Sequence, residues 1–89
     1  MTQFFPWGSY VVKKGERIFL THTESTILLF FCHNPNKKIY TQDIIELLGQ
    51  ALTDQNIFVH MNRLRKKIEI DPKQPQLIVN KRPGYILIQ

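Results

Sequence analysis

Apolar residues along this chain change their spacing from one stretch to the next, and each spacing predicts an element. Tyr10-Val11-Val12 and Arg17-Ile18-Phe19-Leu20 are short apolar runs around a turn-like Lys13-Lys14-Gly15-Glu16, which predicts two short strands within residues 7–20. Thr21-His22-Thr23-Glu24 has the spacing of a capping box, in which the Thr hydroxyl covers an amide three residues on and Glu24 reaches back. Ile27-Leu28-Leu29-Phe30-Phe31 carries the first helix forward. It should end at Asn34-Pro35, because a residue before proline avoids the helical region. Lys38-Ile39-Tyr40 predicts a brief strand. Thr41 is the expected N-cap of a second helix bearing Ile44, Ile45, Leu47 and Leu48, with Gly49 at its C-terminal stop.

Asp54 is the expected N-cap of a third helix running to about Ile70, ahead of Asp71-Pro72. At about 100° per residue, Ile57, Met61, Leu64 and Ile68 fall on one stripe. The opposite face holds Gln55, Val59, Asn62, Arg63 and Lys66, with His60 and Lys67 on one flank and Phe58 and Arg65 on the other. Leu77-Ile78-Val79 and Tyr85-Ile86-Leu87-Ile88 then read as two strands, joined by Asn80-Lys81-Arg82-Pro83-Gly84. This order predicts an α+β fold: a winged helix-turn-helix of three helices, a short N-terminal antiparallel sheet and a C-terminal β-hairpin wing. Residues 1–89 form one domain, with strands in 1–20, the three-helix core in 21–70 and the wing hairpin in 77–88.

Charge sharpens this outline. The 89 residues carry a net charge of +5. Residues 1–53 hold five Lys/Arg against four acids, whereas residues 54–89 hold seven against three, so the excess sits with the third helix and the wing. A basic C-terminal part points toward a polyanion. With 43% hydrophobic and 21% charged residues the composition is that of a globular protein, not a disordered one. No apolar stretch reaches the length of a membrane span, and the start of the chain lacks the pattern of a secretory signal.

Catalytic and metal chemistry find no purchase. The sequence shows no nucleophile–base pair, no Gly-rich phosphate loop and no paired carboxylates in a pocket-forming context, so the expectation is no enzyme and no cofactor. Cys32, His22, His33 and His60 lack metal-ligand spacing, and Cys32 reads as a small buried hydrophobe. Trp7, Phe4 and Phe5 read as cover for the end of the core or for a neighbour's surface.

The basic helix face has the chemistry of duplex DNA recognition. Arg63 suits a bidentate contact to guanine, Asn62 or Gln55 a contact to adenine, and Val59 a thymine methyl. Lys66, Arg65 and His60 suit phosphates, and the Lys81-Arg82 pair suits the minor groove or backbone.

Phe58-Val-His-Met-Asn-Arg-Leu-Arg-Lys-Lys-Ile-Glu resembles the recognition helix of the OmpR/PhoB-type DNA-binding domain. Leu20-Thr-x-Thr-Glu and Asn34-Pro-Asn-Lys resemble its first helix and following turn, and Asp71-Pro-x-x-Pro-x-Leu-Ile with Gly84-Tyr85 resembles its wing. The likeness covers roughly residues 18–87 in order. It implies sequence-specific binding of double-stranded promoter DNA, as a dimer on tandem repeats, by the effector of a bacterial, cytoplasmic two-component response regulator. It places the base-reading arginine on Arg63 and the thymine contact on Val59; Phe58 and Gln55, on the same helix, are further candidates for base contacts. Phosphate contacts fall on Asn56, His60, Asn62 and Arg65, and the minor-groove cation on Lys81.

The sequence also departs from that pattern. Gln55-Asn56 stands where Arg-Thr is usual, Phe58 where an acid is usual, and Asn62 where Arg is common. The wing reads Asn80-Lys-Arg-Pro-Gly-Tyr, and its Lys-Arg pair is similar to that of membrane-tethered ToxR/CadC-type regulators. The loop from Gly49 to Thr53, which in the family can touch RNA polymerase, is short. The chain leaves no room for an acidic phosphoacceptor pocket, so the expectation is either a stand-alone effector or a piece of a regulator whose receiver or membrane-tethered domain lies outside it. Two other readings stay open: a protein-interaction winged helix that has lost DNA reading, and a non-specific nucleic-acid binder.

Overall fold

A computed structural model describes residues 2–89; Met1 lies outside the described residues. Its first sheet is an antiparallel meander of β1 (Gln3–Phe5), β2 (Tyr10–Lys13) and β3 (Glu16–Phe19). The sequence predicts two strands here, and the structure adds β1, a run too short to read because Pro6 ends it. The β2–β3 turn is tighter than expected: Lys13 pairs with Glu16, leaving only Lys14 and Gly15 at the bend. Phe5, Tyr10 and Phe19 lie side by side across the three strands, with Trp7 edge-on to Phe5 and Tyr10.

Helix α1 (His22–Cys32) starts on the anticipated capping box: Thr21 Oγ1 accepts from the Glu24 amide at 3.2 Å and the Glu24 carboxylate accepts from the Thr21 amide at 2.7 Å. Strand β4 (Ile39–Tyr40) leads directly into α2 (Thr41–Leu48). The cap of α2 is Tyr40, one residue before the expected Thr41, because Asp43 turns back to accept from the Tyr40 amide at 2.9 Å. Gly49 takes a left-handed conformation (φ 65°), which costs a residue without Cβ little and stops the helix as predicted.

Helix α3 (Asp54–Ile68) shows the same one-residue shift: Thr53, not Asp54, is its cap. Its hydroxyl accepts from the Asn56 amide at 3.2 Å, and Asn56 Oδ1 accepts from the Thr53 amide at 2.9 Å. The helix ends at Ile68 rather than Ile70, where Glu69 turns into extended backbone. Its apolar stripe is buried as expected, with Ile57, Met61, Leu64 and Ile68 all at or below 1% exposure. They pack on Val11, Ile27, Leu28, Phe31, Ile39, Ile44, Ile78 and Leu87 in one core, each large aliphatic side chain contributing about 1.5–3 kcal/mol. Cys32 packs half-buried against that core, and burial pushes its thiol pKa up.

The wing consists of β5 (Ile78–Lys81) and β6 (Gly84–Leu87), in a second sheet ordered β4–β6–β5. Asn80 and Lys81 belong to β5, so the turn shrinks to Arg82-Pro83. Gly84 pairs with Tyr40, and a Cβ there would collide with the Ile39 carbonyl; this close approach seats the wing on β4.

Candidate nucleic-acid interface

Burying one side of α3 forces its other side outward. Gln55, Asn56, Phe58, Val59, Asn62, Arg63 and Lys66 are all exposed, and Asp54 is the only acid in the helix. Phe58 and Val59, 45% and 37% exposed, set apolar contact surface within a polar, basic face. Among the described residues the one ion pair joins Lys67 to Glu24, so Arg63 and Lys66 are free of acidic partners. An exposed guanidinium with its fork of donors suits a guanine edge, and amide side chains beside it suit adenine. Asn56 has a double duty, since its Oδ1 already holds the cap. His60 lies half-buried on the flank.

The wing stands beside this face with Lys81 and Arg82 exposed near its tip. Between helix and hairpin runs a cleft of about 320 Å³, lined by Asp54, Phe58, Asn62 and Arg65 on one side and Arg82 and Tyr85 on the other. The cleft therefore brings Phe58 and Asn62 of the outward helix face together with Arg82 of the wing.

Arg65 is the exception. The sequence places it at a phosphate, yet it is only 7% exposed. Its Nε donates to the Ile78 carbonyl at 3.1 Å and its Nη2 to Asn80 Oδ1 at 2.7 Å. Its guanidinium carbon lies 5.0 Å from the centre of the Tyr85 ring. Burial pushes the guanidinium pKa down, while Tyr85 and Glu69 draw it back up. Burial likewise raises the Tyr85 hydroxyl pKa, against the pull of Arg65 and with a push from Asp54. The physical reason is position: Arg65 adjoins Leu64 at the edge of the buried stripe, and the wing strands close over it.

Lys67 is also engaged. Its Nζ donates to Glu24 Oε1 at 2.7 Å and to the Phe19 carbonyl at 3.2 Å. Burial alone would raise the Glu24 carboxyl pKa, but the bonds from Lys67 and Thr21 hold it below the usual carboxylate range. Sequence reasoning missed four supports of the site, one of them the Thr53–Asn56 cap. Glu69, 2% exposed, accepts from the amides of Gln76, Leu77 and Ile78 and so fixes the base of the wing. Lys13 Nζ caps the end of α3 through the Lys66 and Glu69 carbonyls. Asn80 receives Arg65. Only Thr53–Asn56 carried a readable signal, the spacing of a capping box; the others depend on contacts distant in sequence.

Comparison with known proteins gives a consistent picture. Residues 15–87 match the family described as "Transcriptional regulatory protein, C terminal". The uncharacterized transcriptional regulatory protein YcbL of Bacillus subtilis is 47% identical over 72 residues, covering 76% of this chain and 31% of that protein. The DNA-binding response regulator MtrA of Mycolicibacterium smegmatis is 32% identical over 80 residues, covering 84% of this chain and 35% of that protein. The solved structure of the response regulator DrrB, a Thermotoga maritima OmpR/PhoB homologue, superposes with a TM-score of 0.79 at 27% identity over 93% of this chain and 43% of its own. In each case the match takes in less than half of the known protein. With its winged-helix fold and this family match, the chain belongs to the C-terminal domains of transcriptional regulatory proteins of the OmpR/PhoB type.

Proposed function

We propose that the chain binds double-stranded promoter DNA sequence-specifically in the bacterial cytoplasm, with α3 in the major groove and the wing tip at the minor groove or backbone. Gln55, Phe58, Val59 and Arg63 then meet base edges. Asn56, His60, Asn62 and Lys66 meet phosphates, and Lys81 and Arg82 form the wing contact. Arg65 leaves the list of DNA ligands because the wing occupies it.

The observation that carries this reading is the outward face of α3: exposed, free of acids from Gln55 onward, and mixing one unpaired arginine with amides and an apolar pair. Fifteen residues of helix are long enough to lie in a major groove. One copy makes few phosphate contacts, so two copies on tandem sites would gain by effective concentration. The relatives' names as response regulators support a two-component role. A purely protein-binding winged helix has less in its favour, since no acid among the described residues pairs with Arg63.

Selection from random duplex DNA at near-physiological salt, run in parallel with Arg63→Ala, tests the reading. The wild type should enrich a motif, and the variant should relax one base position by about 1–3 kcal/mol, the worth of a bidentate contact. Absence of enrichment, or a motif unchanged by Arg63→Ala, would sink it.

A further inference from the structure

We infer that Arg65 is a positioning residue for the wing: without meeting DNA itself, it sets the offset at which Lys81 and Arg82 stand from the recognition face of α3. The inference rests on the DNA reading above and adds a device to it.

Three contacts support it, and they fall on both strands of the hairpin. Arg65 Nε holds the Ile78 carbonyl on β5 at 3.1 Å. Nη2 holds the Asn80 side chain on β5 at 2.7 Å. The guanidinium lies over Tyr85 on β6, at 5.0 Å from the ring centre. Asn80 and Tyr85 are register partners, so the guanidinium grips one rung of the ladder from above. The next rung toward the tip is Lys81 and Gly84, and Arg82 follows at once. A shift of the gripped rung therefore moves both wing cations. Glu69 fixes only the entry to β5, through the amides of residues 76–78, and β4 holds β6 at Tyr85 and Gly84, so Arg65 is the side chain that ties the distal half of β5 to α3.

The contrast with Arg63, two residues earlier on the same helix, separates this role from phosphate binding. Arg63 is exposed, whereas Arg65 is 7% exposed with its fork spent on the hairpin. A planar fork is what this geometry uses; a lysine would keep the charge and lose the two-point grip.

The test compares the full chain with Arg65→Lys and Asn80→Val on the duplex selected by the wild type. Asn80 is exposed and lies in a strand, so a β-branched replacement there keeps the fold. Each variant should weaken binding about tenfold, within the range for side chains that share one network. Hydroxyl-radical protection should disappear under the wing and persist under α3. In a Lys81→Ala/Arg82→Ala background, Asn80→Val should cost at most about twofold, since no wing cations remain to be placed. The proposal is overturned if Asn80→Val keeps its full cost in that background, or if Arg65→Lys binds like the wild type, the result expected of a simple phosphate contact. A wild type that selects no sequence overturns the DNA reading and this inference with it. A selective wild type with additive variant effects overturns the positioning role alone.

Discussion

The two halves of α3 lie on one continuous helix, yet their surroundings differ. From Gln55 to Arg63 the outward side chains are bare and, among the described residues, unpaired with any acid. From Arg65 onward nearly every group is held. Arg65 reaches the wing, Lys67 reaches Glu24 and Phe19, and Thr2 Oγ1 donates to the Ile68 carbonyl. Lys13 caps the Lys66 and Glu69 carbonyls, and Glu69 gathers the amides ahead of β5. The difference shows how a small domain presents a reading surface. One end of the helix is fastened to both sheets and the inner stripe is buried along its length, so the outward side chains at the other end need no partners of their own to be held in place. It also divides a charge run that reads as uniform: in Arg63-Leu-Arg-Lys-Lys, Arg63 and Lys66 face solvent, while Arg65 and Lys67 hold the fold together.

The strongest way to break this arrangement is to remove the packing that both halves share. Leu64 is completely buried between the free and the anchored segments. Leu64→Ala should cost about 2–5 kcal/mol, the range for large-to-small core substitutions. At about 4–8 °C per kcal/mol for a domain of this size, the thermal midpoint should fall by about 8 °C or more. A shift of only a degree or two in a circular-dichroism melt would mean that the core is not held together along this stripe.

A smaller effect isolates the anchored half. Glu24 is 3% exposed and bonded to Lys67 at 2.7 Å. Its folded pKa lies below its unfolded value, so its charged form stabilises the fold above the ordinary carboxylate pKa of about 4.3. That contribution is lost as pH falls through the lower, folded pKa. Glu24→Gln keeps an acceptor for the Thr21 cap but removes the charge, and should cost about 2 kcal/mol at neutral pH. Between neutral pH and pH 3 the variant's thermal midpoint should fall less than the wild type's. Parallel curves would show that the pair stabilises nothing.

What was legible in the sequence follows the same division. The buried stripe of α3 and the bare face opposite it follow from helical period alone, because each depends on residues three and four apart. The capping box at Thr21 was readable for the same local reason. The sequence places the starts of α2 and α3 one residue late, since Thr41 and Asp54 are good caps by type while Asp43 and Asn56 reach back to Tyr40 and Thr53. The sequence makes the turn of the wing too long because Asn80 and Lys81 are polar, although both are strand residues and Asn80 is held by Arg65. Arg65 was not legible at all. Whether an arginine beside a buried stripe meets solvent or a partner depends on where a hairpin more than ten residues away folds over it.

The smallest effect separates the two lysines that sequence treats alike. Lys66 is exposed and its ammonium forms no ion pair among the described residues, whereas Lys67, 31% exposed at its side chain, is bonded to Glu24. If Lys66 meets a phosphate, Lys66→Gln should leave the thermal midpoint nearly unchanged, since surface substitutions fall within about 0.5 kcal/mol. It should weaken every duplex by a similar factor and lower the slope of log affinity against log salt by about 0.9. Lys67→Gln should behave the other way, lowering stability and leaving the salt slope intact. Slopes measured between 50 and 200 mM salt, a span over which several phosphate contacts change affinity by orders of magnitude, resolve a difference of one contact. Equal slopes for the two variants would erase the boundary between the bare and anchored halves at this turn of the helix. A slope lowered only by Lys66→Gln would show that a free cation sits between two held ones, Arg65 and Lys67, within this turn.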